Sequence, residues 1–121
     1  FAVHPDVLAV AASTSRDERA DYSNFGRAIA CCAPSSGAGG WGVTTADVRG
    51  RYVEDGRTID AGYAAGAFTD DFGGTSSATP LVAGVCALVL SVRPDLTAAQ
   101  VRAVVTTTAR RDAQAHAGEL A

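Results

Sequence analysis

This chain contains no lysine. Its ten basic residues are all arginine, 13 acidic residues outnumber them for a formal net charge of −3, and they form no stripe. A nucleic-acid surface needs clustered cations that displace phosphate counterions, so no nucleic-acid partner is expected. Methionine is absent too, the initiator included, which fits a trimmed or incomplete product. The longest apolar run, Leu81 to Leu90, falls well below the roughly 20 residues a helix needs to cross hydrocarbon, so no membrane span is expected. Histidine occurs only at positions 4 and 116, and neither His4 nor His116 has a motif around it; both read as solvated or structural. The three cysteines make no metal site: Cys31 and Cys32 are adjacent, facing opposite ways on a strand, and Cys86 reads as a small buried hydrophobe. No acidic run has the spacing of a calcium loop. There is no internal repeat and no inter-domain linker. An all-arginine basic set in an Ala- and Gly-rich chain points to a GC-rich bacterial genome.

The length suits one domain, and an apolar content of 47% is enough to build a core rather than a disordered chain. Its most informative stretch is Gly73-Gly74-Thr75-Ser76-Ser77-Ala78-Thr79-Pro80, which runs into Leu81-Val82-Ala83-Gly84. Two glycines let the backbone pass close to a ligand. Ser76 then falls at the start of a helix, where unpaired N–H groups and partial positive charge can hold a developing oxyanion. One hydroxyl with its own N–H thus supplies a nucleophile and half of an oxyanion hole. Pro80 removes one helical N–H. Taken alone, small residues before a helix serve more often as a plain N-cap.

Gly74 to Pro80 followed by Leu81 to Gly84 resembles the nucleophile motif of the subtilisin-like serine peptidases. The likeness continues through Ala87 to Ser91, Arg93 to Thr97 and Gln100 to Arg102. Upstream it includes Pro5 to Ser13, the turn Asp21 to Gly26, and Ala33-Pro34. It spans most of residues 1–109 in the family's order. Leu81, where many subtilisins carry His, and Thr69 to Phe72 are similar to the kexin-like branch. Sedolisin-type peptidases also place Gly-Thr-Ser before a helix, but Ala78 to Pro80 and Val82 to Gly84 fit subtilisins better.

The resemblance implies an α/β fold: part of a three-layer arrangement with a parallel sheet and a buried central helix starting at the nucleophile. It implies a serine endopeptidase with Ser76 catalytic and with Gly74, Thr75 and Pro80 supporting the oxyanion and the nucleophile loop. The family's catalytic Asp and His and its oxyanion Asn lie upstream of the segment that residues 1–13 resemble. They are expected from an N-terminal half of the domain or from another chain, so these residues alone are expected to be inactive. The resemblance implies a peptide or protein substrate and an enzyme that is secreted or in the cell envelope. No cofactor is required, although calcium is possible in the parent enzyme; Ala2, His4 and Val7 align with a segment whose backbone carbonyls serve a weak cation site. The other reading is a degenerate, non-catalytic binding or scaffold module. Residues 110–121 form a divergent tail.

Elsewhere, Val7 to Ala12 and Ala28 to Ala33 read as buried parallel strands, and Trp41 to Thr45 as a short strand. Arg49 to Thr58 is polar with a turn at Asp55-Gly56, and Ala61 to Phe72 is a small-residue approach to the serine. Helices are expected from Ser76 to Val92 and from Thr97 to about Ala109. The first is apolar on every face over Leu81 to Leu90, so protein must surround it, and a chain this small can hardly do so. The second opens on a capping box, Thr97 with Gln100, and a staple, Leu96 with Val101; Val101, Val104, Val105 and Thr108 mark its buried face. Asp70-Asp71 could hold a cation or a basic substrate side chain, a solvated pair being the commoner outcome. Asp47, Glu54, Asp55 and Asp60 are scattered over a polar loop.

Overall fold

The computed structural model describes residues 4–110; Ala2, His116 and all of the tail but Arg110 lie outside them. Six strands and two helices follow one another: β1 (Ala9–Ser13), β2 (Ile29–Pro34), β3 (Val43–Ala46), β4 (Arg51–Glu54), β5 (Arg57–Asp60), β6 (Phe68–Phe72), α1 (Thr75–Val92) and α2 (Ala98–Thr108). The fold is α/β, as expected. β1 and β2 run parallel, with Val10 opposite Cys31 and Ala12 opposite Ala33. Ala9, Ala11 and Ala12 are all buried, the near-continuous burial of a strand covered on both faces. Among the described residues β1 pairs with no other strand.

β3 and β6 form an antiparallel pair, with Thr45 opposite Thr69. Gly42 enters it so close to the Asp70 carbonyl that any Cβ would collide with it. Where Arg49 to Thr58 is expected only as a polar stretch turning at Asp55-Gly56, Arg51 to Asp60 is a hairpin of β4 and β5 with Arg51 opposite Asp60. Its two central residues, Asp55 and Gly56, both have positive φ (49° and 74°), as a type I′ turn requires. All of β4 is exposed, which is why no alternation of apolar and polar residues announced it.

α1 packs across β1 and β2, and α2 packs against β2 and α1. The core between them is built from small side chains: Ala12, Ala20, Ala33, Ala78, Val82, Val101 and Val105, flanked by Val10, Cys31, Cys86, Val89 and Leu96. Within the described residues α1 is only partly covered. Only Ser77, Ala78 and Val82 of this helix are buried, while Leu81, Val85, Leu88, Leu90 and Val92 are exposed. The cause is the one anticipated: these residues hold too little protein to surround an all-apolar helix. By length and composition alone, the whole of Thr75–Val92, with a hydropathy of 1.7, is apolar enough to cross a membrane. The shorter run from Leu81 to Leu90 concealed this.

α2 begins with the expected capping box: the Gln100 N–H donates to Thr97 Oγ1 and the Thr97 N–H donates to Gln100 Oε1 at 2.8 Å. Such a cap contributes about 1 kcal/mol. Val101 and Val105 are buried and Val104 is half-buried, but Thr108 is exposed. Its hydroxyl instead donates to the Val104 carbonyl at 2.8 Å. The buried stripe is therefore narrower than the spacing implied.

Candidate active site

The approach to α1 is set by two glycines. Gly73 packs against the Ser36 side chain with no room for a Cβ. Gly74 is the helix N-cap, at φ 75° and ψ 175°, a conformation essentially confined to glycine. Thr75 is the first helical residue and Ser76 the second, and both are exposed. The Ser77 N–H closes back on the Gly74 carbonyl at 3.1 Å. The Ser76 N–H is one of the donors that a helix start leaves without an intrahelical acceptor. No described group hydrogen-bonds Ser76 Oγ. No acidic side chain stands in the first turn, so nothing cancels the partial positive charge there.

Pro80 lies inside the helix and has no N–H to give to the Ser76 carbonyl. One turn along, Thr79 Oγ1 donates to the Thr75 carbonyl at 2.9 Å. The four predicted site residues, Gly74, Thr75, Ser76 and Pro80, thus lie within the cap and first two turns of α1. They present a free hydroxyl and a free N–H to solvent.

Sequence reading missed what holds this loop. The Gly74 carbonyl accepts from Ser35 Oγ at 2.7 Å and from Ser77 Oγ at 3.1 Å, and the two serine hydroxyls are 2.8 Å apart. The Tyr22 hydroxyl reaches Ser35 Oγ at 2.8 Å and the Ser36 carbonyl at 2.5 Å. Ser35 and Ser77 are each 2% exposed. Nothing in the local sequence links positions 22, 35 and 77, which sit in a turn, a Ser/Gly-rich loop and a helix.

No base stands beside Ser76 among the described residues. His4 Nδ1 accepts the Asp6 N–H at 3.2 Å and lies 3.7 Å from the Asp6 carboxylate. Cys31 is not poised as a second nucleophile: burial pushes its thiol up, Cys32 and Cys86 add to this, and Arg102 only partly opposes it, so the thiolate is disfavoured.

The acidic residues do not converge. Asp70 and Asp71 are consecutive in β6, so their side chains leave opposite faces. Asp60 pairs with Arg51 at 2.6 Å. Asp47 accepts the N–H groups of Val48 and Ala64, each at 2.8 Å. Desolvation raises its carboxyl, but the N–H groups of Ala64, Val48 and Tyr63 outweigh this and hold it below the ordinary value. Asp47 thereby ties down the loop that leads into β6. Among the described residues no group of three or more His, Cys, Asp or Glu side chains could hold a metal ion. The Val7 carbonyl accepts from Arg102 Nη1 at 2.7 Å, so a guanidinium stands where a weak cation site would draw on that oxygen. Among the described residues neither a side-chain cluster nor the Val7 carbonyl presents an open cation site, and Ala2 lies outside them.

Comparison with known proteins bears on the family of the chain. The model of the subtilase family, peptidase S8, matches residues 2–120. A calcium-dependent protease of Nostoc sp. (strain PCC 7120) is 40% identical over 108 residues, covering 87% of this chain and 16% of that protein. An extracellular protease of Xanthomonas campestris pv. campestris is 42% identical over 108 residues, with the same 87% and 16% coverage. The chain thus spans about 16% of the length of the curated relatives it matches.

Proposed function

The chain belongs to the subtilase family, and from that premise we propose that it is the nucleophile-bearing part of a serine endopeptidase. One observation carries the reading: an exposed Ser76 at the second position of an 18-residue helix, with its hydroxyl and N–H both unengaged behind a glycine cap. In this reading Ser76 Oγ attacks the carbonyl carbon of a peptide bond, and its proton passes to a His imidazole supplied by the rest of the domain. The carbonyl oxygen becomes an oxyanion held by the Ser76 N–H and by an Asn side chain, also from outside these residues. The imidazole then protonates the departing amine, and water releases the acyl group with return of the proton.

In this reading the rest of the domain binds over α1. The exposed side of α1 continues into an open apolar groove of about 390 Å³ lined by Leu8, Val10, Val82, Ala83, Cys86 and Leu90. Further strands beside β1 would cover both and make α1 the central helix of a three-layer fold. Leu81 and the run from Thr69 to Phe72 favour the kexin-like branch. A relative named an extracellular protease supports secretion, and relatives named calcium-dependent proteases support calcium use by the whole enzyme. The lack of a base near Ser76 favours a scaffold role for these residues only when they stand alone.

Hydrolysis of a peptide substrate separates the two roles. The purified 121-residue chain is expected to show no turnover above background, and activity is expected to appear when the upstream part of the domain is supplied. Turnover by the chain alone, or none after reconstitution of a folded domain, would overturn the proposal.

A further inference from the structure

We propose that Tyr22, Ser35 and Ser77 are positioning residues for the nucleophile, acting through the Gly74 carbonyl; this rests on the peptidase reading above. The Gly74 carbonyl takes three donors: the Ser77 N–H at 3.1 Å, Ser77 Oγ at 3.1 Å and Ser35 Oγ at 2.7 Å. A carbonyl has two lone pairs, so this one is saturated from the protein side. Each hydroxyl has a single proton to give. Ser35 gives its proton to the Gly74 carbonyl, the Ser77 proton goes to the same carbonyl or to Ser35, and the single Tyr22 proton is shared between Ser35 Oγ and the Ser36 carbonyl, which can only accept.

The geometry explains why this oxygen matters. The peptide unit between Gly74 and Thr75 is planar, and it is trans. Holding its oxygen inward turns the Thr75 N–H outward at the helix mouth and sets the direction from which the chain enters Ser76. The next residue is the nucleophile. Gly74 has a backbone conformation that glycine alone adopts freely, and glycine has the least intrinsic stiffness to hold it. The cap must therefore be fixed from outside, and segment 34–36 does so twice. Ser35 binds the Gly74 carbonyl, and Ser36 packs against Gly73 where no Cβ fits. The Tyr22 hydroxyl lies within hydrogen-bond distance of both Ser35 Oγ and the Ser36 carbonyl, and its one proton holds the segment through either. Ser35 follows β2, whose register against β1 is fixed by five pairings, so the sheet aligns the serine loop across the fold. Ser35 and Ser77 are buried away from the substrate side. They act on the reaction only through where they hold Ser76.

Small displacements of a reacting group cost rate steeply: about 1 Å can cost about 100-fold. The test uses the complete catalytic domain, with kcat expressed per active site by burst titration so that unfolded protein does not count. Threonine and valine have nearly the same shape, so Ser35→Thr against Ser35→Val isolates the hydroxyl. Ser35→Val is expected to lower kcat about tenfold or more with KM within about twofold, and Ser35→Thr to stay within about threefold of the parent. Tyr22→Phe removes only an oxygen from a side chain that is 45% exposed, so it decides the matter where the buried variants do not fold; a fall of about threefold in kcat is expected. Equal kcat per titrated site for Ser35→Thr and Ser35→Val overturns the proposal, as does an unchanged Tyr22→Phe if the Ser35 variants do not fold. Ser76→Ala runs alongside. If it stays active, the peptidase reading itself is wrong; if it is dead while the hydroxyl variants are unaffected, only the positioning role falls.

Discussion

Replacing Ser76 by alanine in the complete catalytic domain is expected to lower kcat about a millionfold while leaving KM within a few-fold, the scale set by loss of the nucleophile in subtilisin itself. The effect is kinetic because the side chain is exposed and no described group hydrogen-bonds it. Its removal therefore opens no cavity and leaves no partner unsatisfied. Thermal stability is expected to change by less than about 0.5 kcal/mol. Residual hydrolysis would come from the oxyanion donors and substrate binding alone. A variant that retained more than about 1% of kcat would show that another group attacks the substrate. Side-by-side steady-state kinetics and thermal melts of the two proteins measure both quantities.

Leu88→Asp is expected to be severe in the complete domain and nearly silent in the 121 residues alone. Leu88 is 70% exposed here, on the same helix as the exposed Leu81 and Val85. In these surroundings aspartate meets water, and the cost is the loss of helix propensity, about 0.5 kcal/mol. If the rest of the domain covers this face, the same carboxylate is buried without a partner, which costs several kcal/mol. That is a large fraction of the total stability of a domain. The complete domain carrying Leu88→Asp is then expected to fail to accumulate in soluble form, or to melt at least about 10 °C lower. A complete domain that tolerated the change within about 1 kcal/mol would show that α1 faces water. The helix would then not be the centre of a three-layer fold.

The elements that pack on the core were legible in the sequence because their apolar pattern is local. The run from Val7 to Ala12 became β1 with a shift of about two residues, and Ala28 to Ala33 became β2 with a shift of one. Thr97 with Gln100 marked the start of α2 because the capping box is a contact between residues three apart. The serine at the mouth of α1 was legible because two glycines and a helix start stand together in the chain. The hairpin of β4 and β5 was not, since both strands lie largely in solvent and need no apolar alternation. Nor was the grip on the Gly74 carbonyl, because it joins residues 39 positions apart through hydroxyls that look alike in every loop. The extent of α1 burial depends on protein beyond these residues, and an all-apolar helix shows only that something must cover it.

The central claim is that Ser76 becomes a nucleophile when the rest of a subtilase domain supplies a base. A fluorophosphonate, which reacts with an activated serine and not with an ordinary one, tests this directly when the adduct is located by mass spectrometry. The account predicts a single adduct on the peptide containing Ser76 in the complete, folded domain, and none on the 121 residues alone. An adduct on any other residue, or a folded and complete domain that takes no label, would contradict it.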